Sequence, residues 1–261
     1  MSDVAYPRVQ AHLARLKLTT KVEHVDTVAQ EAAKHDWTYV EFLDQLLDTE
    51  VSARYERDVA MKTKLAHFPF IKTLDQYDFA FQPAINERQI RELATLSFIA
   101  NGENVLFLGP PGVGKTHLAI ALGMAAIQQA TSVYFITMVE LLDQLHRDAK
   151  EDRLDHRLRT LCRPKLLILD EMGYFPLDRM TAQFLFQLIS RRYGRGSVIL
   201  TSNKSYGEWG DIFADQILAA AILDRLLHHS TTINIRGQSY RLREQRKAGV
   251  FRELAERQKE G

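Results

Sequence analysis

Long apolar runs are missing from this 261-residue sequence; none approaches the length of a membrane span, so no membrane-spanning helix is expected. Cysteine is almost missing as well: Cys162 stands alone, which rules out an intramolecular disulfide framework and fits a reducing compartment. The opening residues Met1-Ser2-Asp3-Val4 lack the basic-then-apolar profile of a secretory signal, and the expected location is the cytoplasm, with no membrane partner. An excess of either charge is also lacking. With 34 Lys and Arg against 33 Asp and Glu the net charge is +1, so the chain is no globally basic nucleic-acid coat, and any such contact must come from local patches. No readable DNA-binding motif, internal repeat or low-complexity tract occurs. The length suffices for one large domain or two modest ones with a sizeable core.

What is present is a phosphate-binding loop. Gly109-Pro110-Pro111-Gly112-Val113-Gly114-Lys115-Thr116 follows the apolar run Asn104–Leu108 and precedes the helix-like run from His117 to Leu122. That is the strand, loop and helix order in which G-x-x-x-x-G-K-[ST] carries meaning. Glycines let successive N–H groups turn inward around a phosphate chain, and the N-terminus of the following helix adds its free N–H groups and positive dipole end. Residues 109–117, His117 included, are therefore the expected nucleotide-binding set, with Lys115 on the β- and γ-phosphates and the Thr116 hydroxyl on Mg²⁺. ATP and Mg²⁺ are the expected ligands.

From Asn104 onward apolar β-type runs alternate with helical ones, which predicts an α/β fold with a parallel sheet covered on both faces. Five strands are expected, at 104–108, 133–137, 165–169, 197–201 and 231–235, with charged helical sequence from Glu140 to about Leu161. The third ends in Asp170-Glu171. Two carboxylates closing a buried strand are costly unless a cation or donor meets them, and a metal–phosphate site does so. Asp170 is read as a Mg²⁺ ligand through its water shell, and Glu171 as the group that orients and deprotonates an attacking water. That glutamate favours hydrolysis over transfer to a small-molecule acceptor, and argues against a non-hydrolysing scaffold. Asn203, just beyond the fourth strand, is read as a neutral amide able to touch both γ-phosphate and water; an Asx turn is the alternative.

Residues 1–65 read as helices without strands, a small all-α domain for oligomerisation or for docking DNA or a partner, with a boundary near residue 66. Ala11, Leu13, Leu16 and Leu18 are expected on one face, Val22, Val25, Val28, Ala29, Ala32 and Ala33 on the next, and Val40, Leu43, Leu46, Leu47 and Val51 on a third. Thr38 and Glu41 have the spacing of a capping box. An aromatic-rich segment, His67 to Phe81, leads into the second domain (66–261), followed by a helix near 86–100.

These pieces together resemble the AAA+ ATPases and, more narrowly, the IstB-like helper ATPases of insertion-sequence transposition and the related DnaC-type helicase loaders. The resemblance runs over nearly the whole chain, on GPPGVGKTHLA (109–119), LLILDEMGY (166–174), ILTSNKS (199–205), AAAILDRLLHHS (219–230) and GQSYRLRE (237–244). It implies an AAA+ P-loop fold, with Asn203 as the sensor-1 residue, Arg225 as an arginine finger given to a neighbouring subunit, and Arg241 as the sensor-2 arginine, with Arg243 a close competitor. It also implies a ring-shaped or helical homo-oligomer that binds duplex DNA largely without sequence preference and serves a transposase; a replicative helicase is the alternative client. A small-molecule kinase is the distant rival.

Two basic patches are expected to meet DNA. Between Arg147 and Lys165 seven cations face four carboxylates, and Lys150, Arg153 and Arg157 have the spacing of one helix face. Arg246, Lys247, Arg252 and Arg257 form the second. His228-His229 are not expected to bind metal, and Trp37 and Trp209 read as packing residues.

Overall fold

A computed structural model describes residues 5–18, 25–213 and 215–247. The chain divides into two compact units, Met1–Met61 and Lys62–Gly261. In the first, α1 (Ala5–Arg15), α2 (Val25–Lys34) and most of α3 (Tyr39–Leu65) enclose a small core of Leu13, Val25 and Leu46, with Tyr6, Leu18, Val28 and Phe42 around it. Thr38 and Glu41 make the expected capping box: Glu41 accepts the Thr38 N–H at 2.7 Å, and Thr38 Oγ1 accepts the Glu41 N–H at 3.3 Å. Glu50 is 2% exposed and is met by Arg54 at 2.8 Å and Arg57 at 3.5 Å, which lets a carboxylate be buried in so small a unit.

The single apolar face expected on α3 is divided. Leu46 points into the core, whereas Val40, Leu43, Leu47 and Val51 are exposed. Leu16 is likewise exposed while Leu13 is buried. Val22 lies outside the described residues. Helix α3 continues past Met61, so its last residues belong to the second unit, where Lys62 Nζ donates to the Ala130 carbonyl at 2.8 Å and the Ala66 carbonyl, just past the helix, accepts the Phe135 N–H at 2.8 Å.

The second unit runs α4 (Glu87–Leu93), α5 (Ser97–Ala100), β1 (Asn104–Leu108), α6 (Lys115–Gln128), β2 (Val133–Thr137), α7 (Met138–Lys150), α8 (Leu154–Cys162), β3 (Leu166–Met172), α9 (Arg179–Arg192), β4 (Ser197–Ser202), α10 (Trp209–Phe213), α11 (Gln216–Leu227), β5 (Ser230–Asn234) and α12 (Tyr240–Lys247). The five strands form one sheet in the order β2-β3-β4-β1-β5, every pair parallel. Strands β1 and β4 are buried throughout, as continuous apolar runs covered on two faces must be. Fully buried Trp209 belongs to the main core, which also holds Leu167, Leu185 and Leu200, and its ring lies 5.9 Å from that of Phe213. Trp37 is half-buried and stacks beside His35.

Two expected helices are each broken in two. Leu96 takes a left-handed φ of 66° between α4 and α5 and buries its own side chain while Phe98 enters the core. The break at 151–153 has a geometric cause. At roughly 100° per residue, an unbroken helix would put Leu154, Leu158 and Leu161 about 160–220° around from Leu145. Leu145, Leu158 and Leu161 are all buried, so the chain must turn, and Asp152 does so at φ 55°.

That break dissolves the proposed DNA-facing stripe. Lys150 ends α7, Arg153 precedes α8, and Arg157 lies within α8, so the three share no helix face. Arg153 pairs with Glu151 at 2.8 Å, and Arg157 with Asp148 at 2.6 Å in a largely buried bridge. In the second patch, Arg252 and Arg257 and the side chains of Arg246 and Lys247 lie outside the described residues.

Candidate nucleotide site

Strand order puts the chemistry in one place. β4 lies between β1 and β3, so the ends of three adjacent strands deliver the phosphate-binding loop, Thr201 and Asp170 to the same edge of the sheet. Ligands of parallel α/β sheets sit at that carboxyl edge. A cavity of about 440 Å³ opens there, lined by residues 111–117, by Glu171, Tyr174 and Thr201, by the lead-in segment from Phe70 to Gln82, and by Tyr240 and Arg241.

Gly114 caps α6 with φ 97°, and a Cβ there would come within 2.6 Å of the Tyr77 ring, so both conformation and space call for glycine. Tyr77 donates its hydroxyl to the Val113 carbonyl at 3.0 Å, and His117 Nε2 donates to the Thr73 carbonyl at 2.9 Å. The lead-in segment is thereby fastened to the loop at two points. Burial holds the His117 imidazole below its usual pKa, so it stays neutral. Lys115 folds back over the loop, donating to the Gly109 and Pro110 carbonyls at 2.7 and 2.8 Å. Burial lowers its pKa, while Asp170 and Glu171 pull it the other way.

The end of β3 departs from regular pairing between Leu169 and Met172, and Glu171 takes φ 64°. This irregularity separates the two acids. Asp170 turns inward, 3% exposed, and accepts the Thr116 hydroxyl at 3.0 Å to each oxygen and the Thr201 hydroxyl as well. Thr201 Oγ1 also accepts the Glu171 N–H at 3.0 Å, which pins the irregular turn. The Glu171 carboxylate is left exposed to the cavity. Burial pushes the pKa of both acids above the ordinary carboxylate range; beside Glu171, Asp170 adds to the rise while Arg241 and Lys115 oppose it.

The structure gives Arg241 and Arg243 of α12 different surroundings. Arg241 lines the cavity. Arg243 is not among the lining residues; it pairs with Asp78 at 3.3 Å and lies 4.6 Å over the Phe81 ring, two residues that do line the cavity. Asn203 does not line the cavity; its buried Oδ1 has no partner among the described residues and sits where a Cβ on Gly173, at φ 100°, would come within 2.9 Å. Arg225 is also outside the cavity, 4.5 Å over the Phe186 ring, donating to the Ala221 carbonyl at 3.3 Å. His228 and His229 stand past the end of α11, so their rings do meet, at 4.1 Å, beside Tyr193. Among the described residues no group of three or more His, Cys, Asp or Glu could hold a metal ion. Sequence reasoning missed Thr201, Tyr77 and Tyr174. For Thr201 the sequence shows only a hydroxyl closing a buried strand; that this strand adjoins the one bearing the acids is seen in the fold alone.

Comparisons with known proteins identify the family. Residues 11–248 match the family model described as IstB-like ATP binding protein. A Geobacillus stearothermophilus protein described as an ATP-binding protein of insertion sequence IS5376 is 50% identical over 239 residues, 92% of this chain and 95% of its own. One from Pseudomonas aeruginosa insertion sequence IS21 is also 50% identical, over 92% of this chain and 90% of its own. Among solved structures, DnaI superposes with a TM-score of 0.55 at 19% identity, covering 63% of this chain and 91% of its own. AMPPCP-bound DnaA from Aquifex aeolicus gives 0.52 at 18%, covering 68% and 54%. Those two establish the AAA+ type of fold, whereas the family match and the identities establish descent: the chain belongs to the IstB-like ATP-binding proteins of IS21-type insertion sequences.

Proposed function

We propose that this protein is an ATPase, converting ATP and water to ADP and phosphate, that assembles as a homo-oligomer on duplex DNA in its ATP state and recruits or stimulates a transposase. The observation that carries the hydrolytic part is the division at the end of β3. One acid is buried against the P-loop threonine, and its neighbour is aimed into the cavity. The Thr116 hydroxyl and Asp170 carboxylate are hard oxygen donors of the kind Mg²⁺ takes, and together with the nucleotide's phosphates they would hold the ion where it neutralises β- and γ-oxygen charge. Lys115 exchanges its two loop carbonyls for β- and γ-phosphate oxygens. Glu171 orients the attacking water and accepts its proton, and Arg241 meets phosphate charge from α12; Asn203, whose Oδ1 is buried outside the cavity, reports the γ-phosphate only by turning toward it. Arg225, which lies outside its own subunit's cavity, serves the neighbour's site. The N-terminal unit docks partners or neighbouring copies, and its exposed stripe of Val40, Leu43, Leu47 and Val51 is the surface that such docking would cover.

Purified protein tests the reading through phosphate release and duplex binding with and without ATP. Wild type is expected to release phosphate into solution and to bind duplexes of unrelated sequence with similar affinity; Glu171→Gln should stop release while keeping both nucleotide and duplex binding. Addition of the transposase from the same insertion sequence should then raise strand transfer only with ATP. ATP consumed without free phosphate, or duplex affinity indifferent to ATP, would contradict it.

A further inference from the structure

At the opposite edge of the sheet, where β3 and β4 begin, a second cleft of about 440 Å³ is lined by Arg159, Arg163, Arg191, Arg192 and Arg195 together with Cys162. It lies about 15 Å from the nucleotide site, a strand length away. The cleft gathers the ends of α8 and α9 and the turns that follow them. Its charge is unbalanced: Asp155 is shared by Arg159 at 2.6 Å and Arg191 at 3.5 Å, and among the described residues no carboxylate pairs with Arg163, Arg192 or Arg195. Five guanidinium groups therefore face one acid.

Part of this has a structural explanation. Arg192 is 2% exposed and donates to the carbonyls of Leu161, Pro164, Lys165 and Ser197 at 2.8–3.0 Å, tying both turns together. Burial pulls its pKa down to about 10, as expected for a buried cation met by carbonyl dipoles and no counter-charge. Arg159 and Arg191 lie in the last turns of their helices and offset the negative dipole ends. Nothing of this kind accounts for Arg163 and Arg195, both exposed and both beyond the helices. Like charges held around one concavity repel unless an anion is brought in, and guanidinium matches phosphate oxygens in pairs.

We infer that this arginine cleft binds backbone phosphates of the DNA duplex, and that it, rather than the 150–157 segment, is a principal DNA contact of the ATPase unit. The inference rests on the duplex-binding part of the proposed function. Exposed arginines rimming a cleft with a fixed, buried arginine at its floor suit a repeating phosphate chain without reading bases. The same segment's Arg157 is committed to Asp148, and Arg153 to Glu151, which leaves them less to offer.

The test measures duplex affinity of the full chain with ATP from about 50 to 200 mM salt. The triple variant Arg163→Gln/Arg191→Gln/Arg195→Gln is compared with an equal charge removal elsewhere, Arg88→Gln/Lys150→Gln/Arg153→Gln. Arg192 is left in place because the fold leans on it, and unchanged ATP affinity certifies each variant. The cleft triple should bind at least roughly tenfold more weakly, with a slope of log affinity against log salt shallower by up to about 2.7 per protomer; the comparison triple should keep the wild-type slope. Equal loss in both triples would reduce the effect to overall charge and overturn the inference. A wild-type slope in the cleft triple would overturn it and leave duplex binding standing, and loss of self-association at that unchanged slope would hand the cleft to carboxylates of a neighbouring copy. Absence of duplex binding by the wild type would instead defeat the broader reading along with it.

Discussion

Asp170 and Glu171 are chemically near-identical and adjacent, yet one irregular turn gives them different surroundings. Asp170→Asn should weaken binding of Mg-ATP, because the amide is a poorer cation ligand and disturbs two threonine contacts. Glu171→Gln should leave that affinity within about twofold and remove turnover, since general-base assistance commonly contributes 10²–10⁴-fold. Calorimetry of nucleotide binding beside single-turnover rates checks the split, and equal loss of affinity in both would remove it. The pH profile follows from the neighbours. Glu171 works as a base only when ionised, and its pKa is raised from the ordinary 4.5, so the acid limb of the rate should lie above that value. Arg241 is a cation that favours the ionised form. Replacing it in Arg241→Gln should therefore raise the pKa further and move the limb to higher pH, whatever happens to the maximal rate. An unmoved limb would mean that Glu171 is not the group that titrates.

Two elements show what holds the site's frame. The side chain of Thr137 caps α7, accepting the Glu140 N–H at 3.2 Å while Glu140 accepts the Thr137 N–H at 3.1 Å, so Thr137→Ala should cost about 1 kcal/mol in denaturant unfolding. Arg192→Met leaves buried carbonyls without donors and should cost about 3 kcal/mol or more; Arg192→Lys should recover little, because an ammonium cannot span four carbonyls as the planar guanidinium does. Within the second unit, the β1 and β2 spans were legible to the residue, because apolar runs bounded by turns leave little freedom in a sheet buried on both faces. The helical stretch at 140–161 was misjudged because charge spacing was weighed without asking where Leu145 and Leu158 must both point. The apolar face of α3 failed for a related reason: a three-helix unit has too little core to cover every apolar residue of so long a helix. In the site, the loop and the acid pair were readable since their chemistry is local. Thr201 and the irregular turn were not, because they depend on β4 lying beside β3, a pairing that no local stretch of sequence states.

Across the whole molecule the proposed mechanism requires more than one chain. The cavity is lined by its own subunit's Lys115, Glu171 and Arg241, with Asp170 buried behind Thr116, while Arg225 stays on α11 beside Phe186. If Arg225 completes the neighbour's site, it brings to the transition-state charge there a cation that can contribute about 10³–10⁵ in rate. Arg225→Ala should then be nearly inactive with ATP affinity retained, whereas Lys115→Ala should lose its own phosphate grip and still present an intact arginine. Neither change touches what the other supplies. The decisive measurement is therefore ATP hydrolysis by a mixture of these two variants, titrated in total protein concentration with duplex DNA present. The account predicts that activity absent from each variant returns in the mixture, as a fraction of wild type that grows with assembly. Mixed oligomers shown to contain both variants, yet hydrolysing no more than the variants apart, would contradict it.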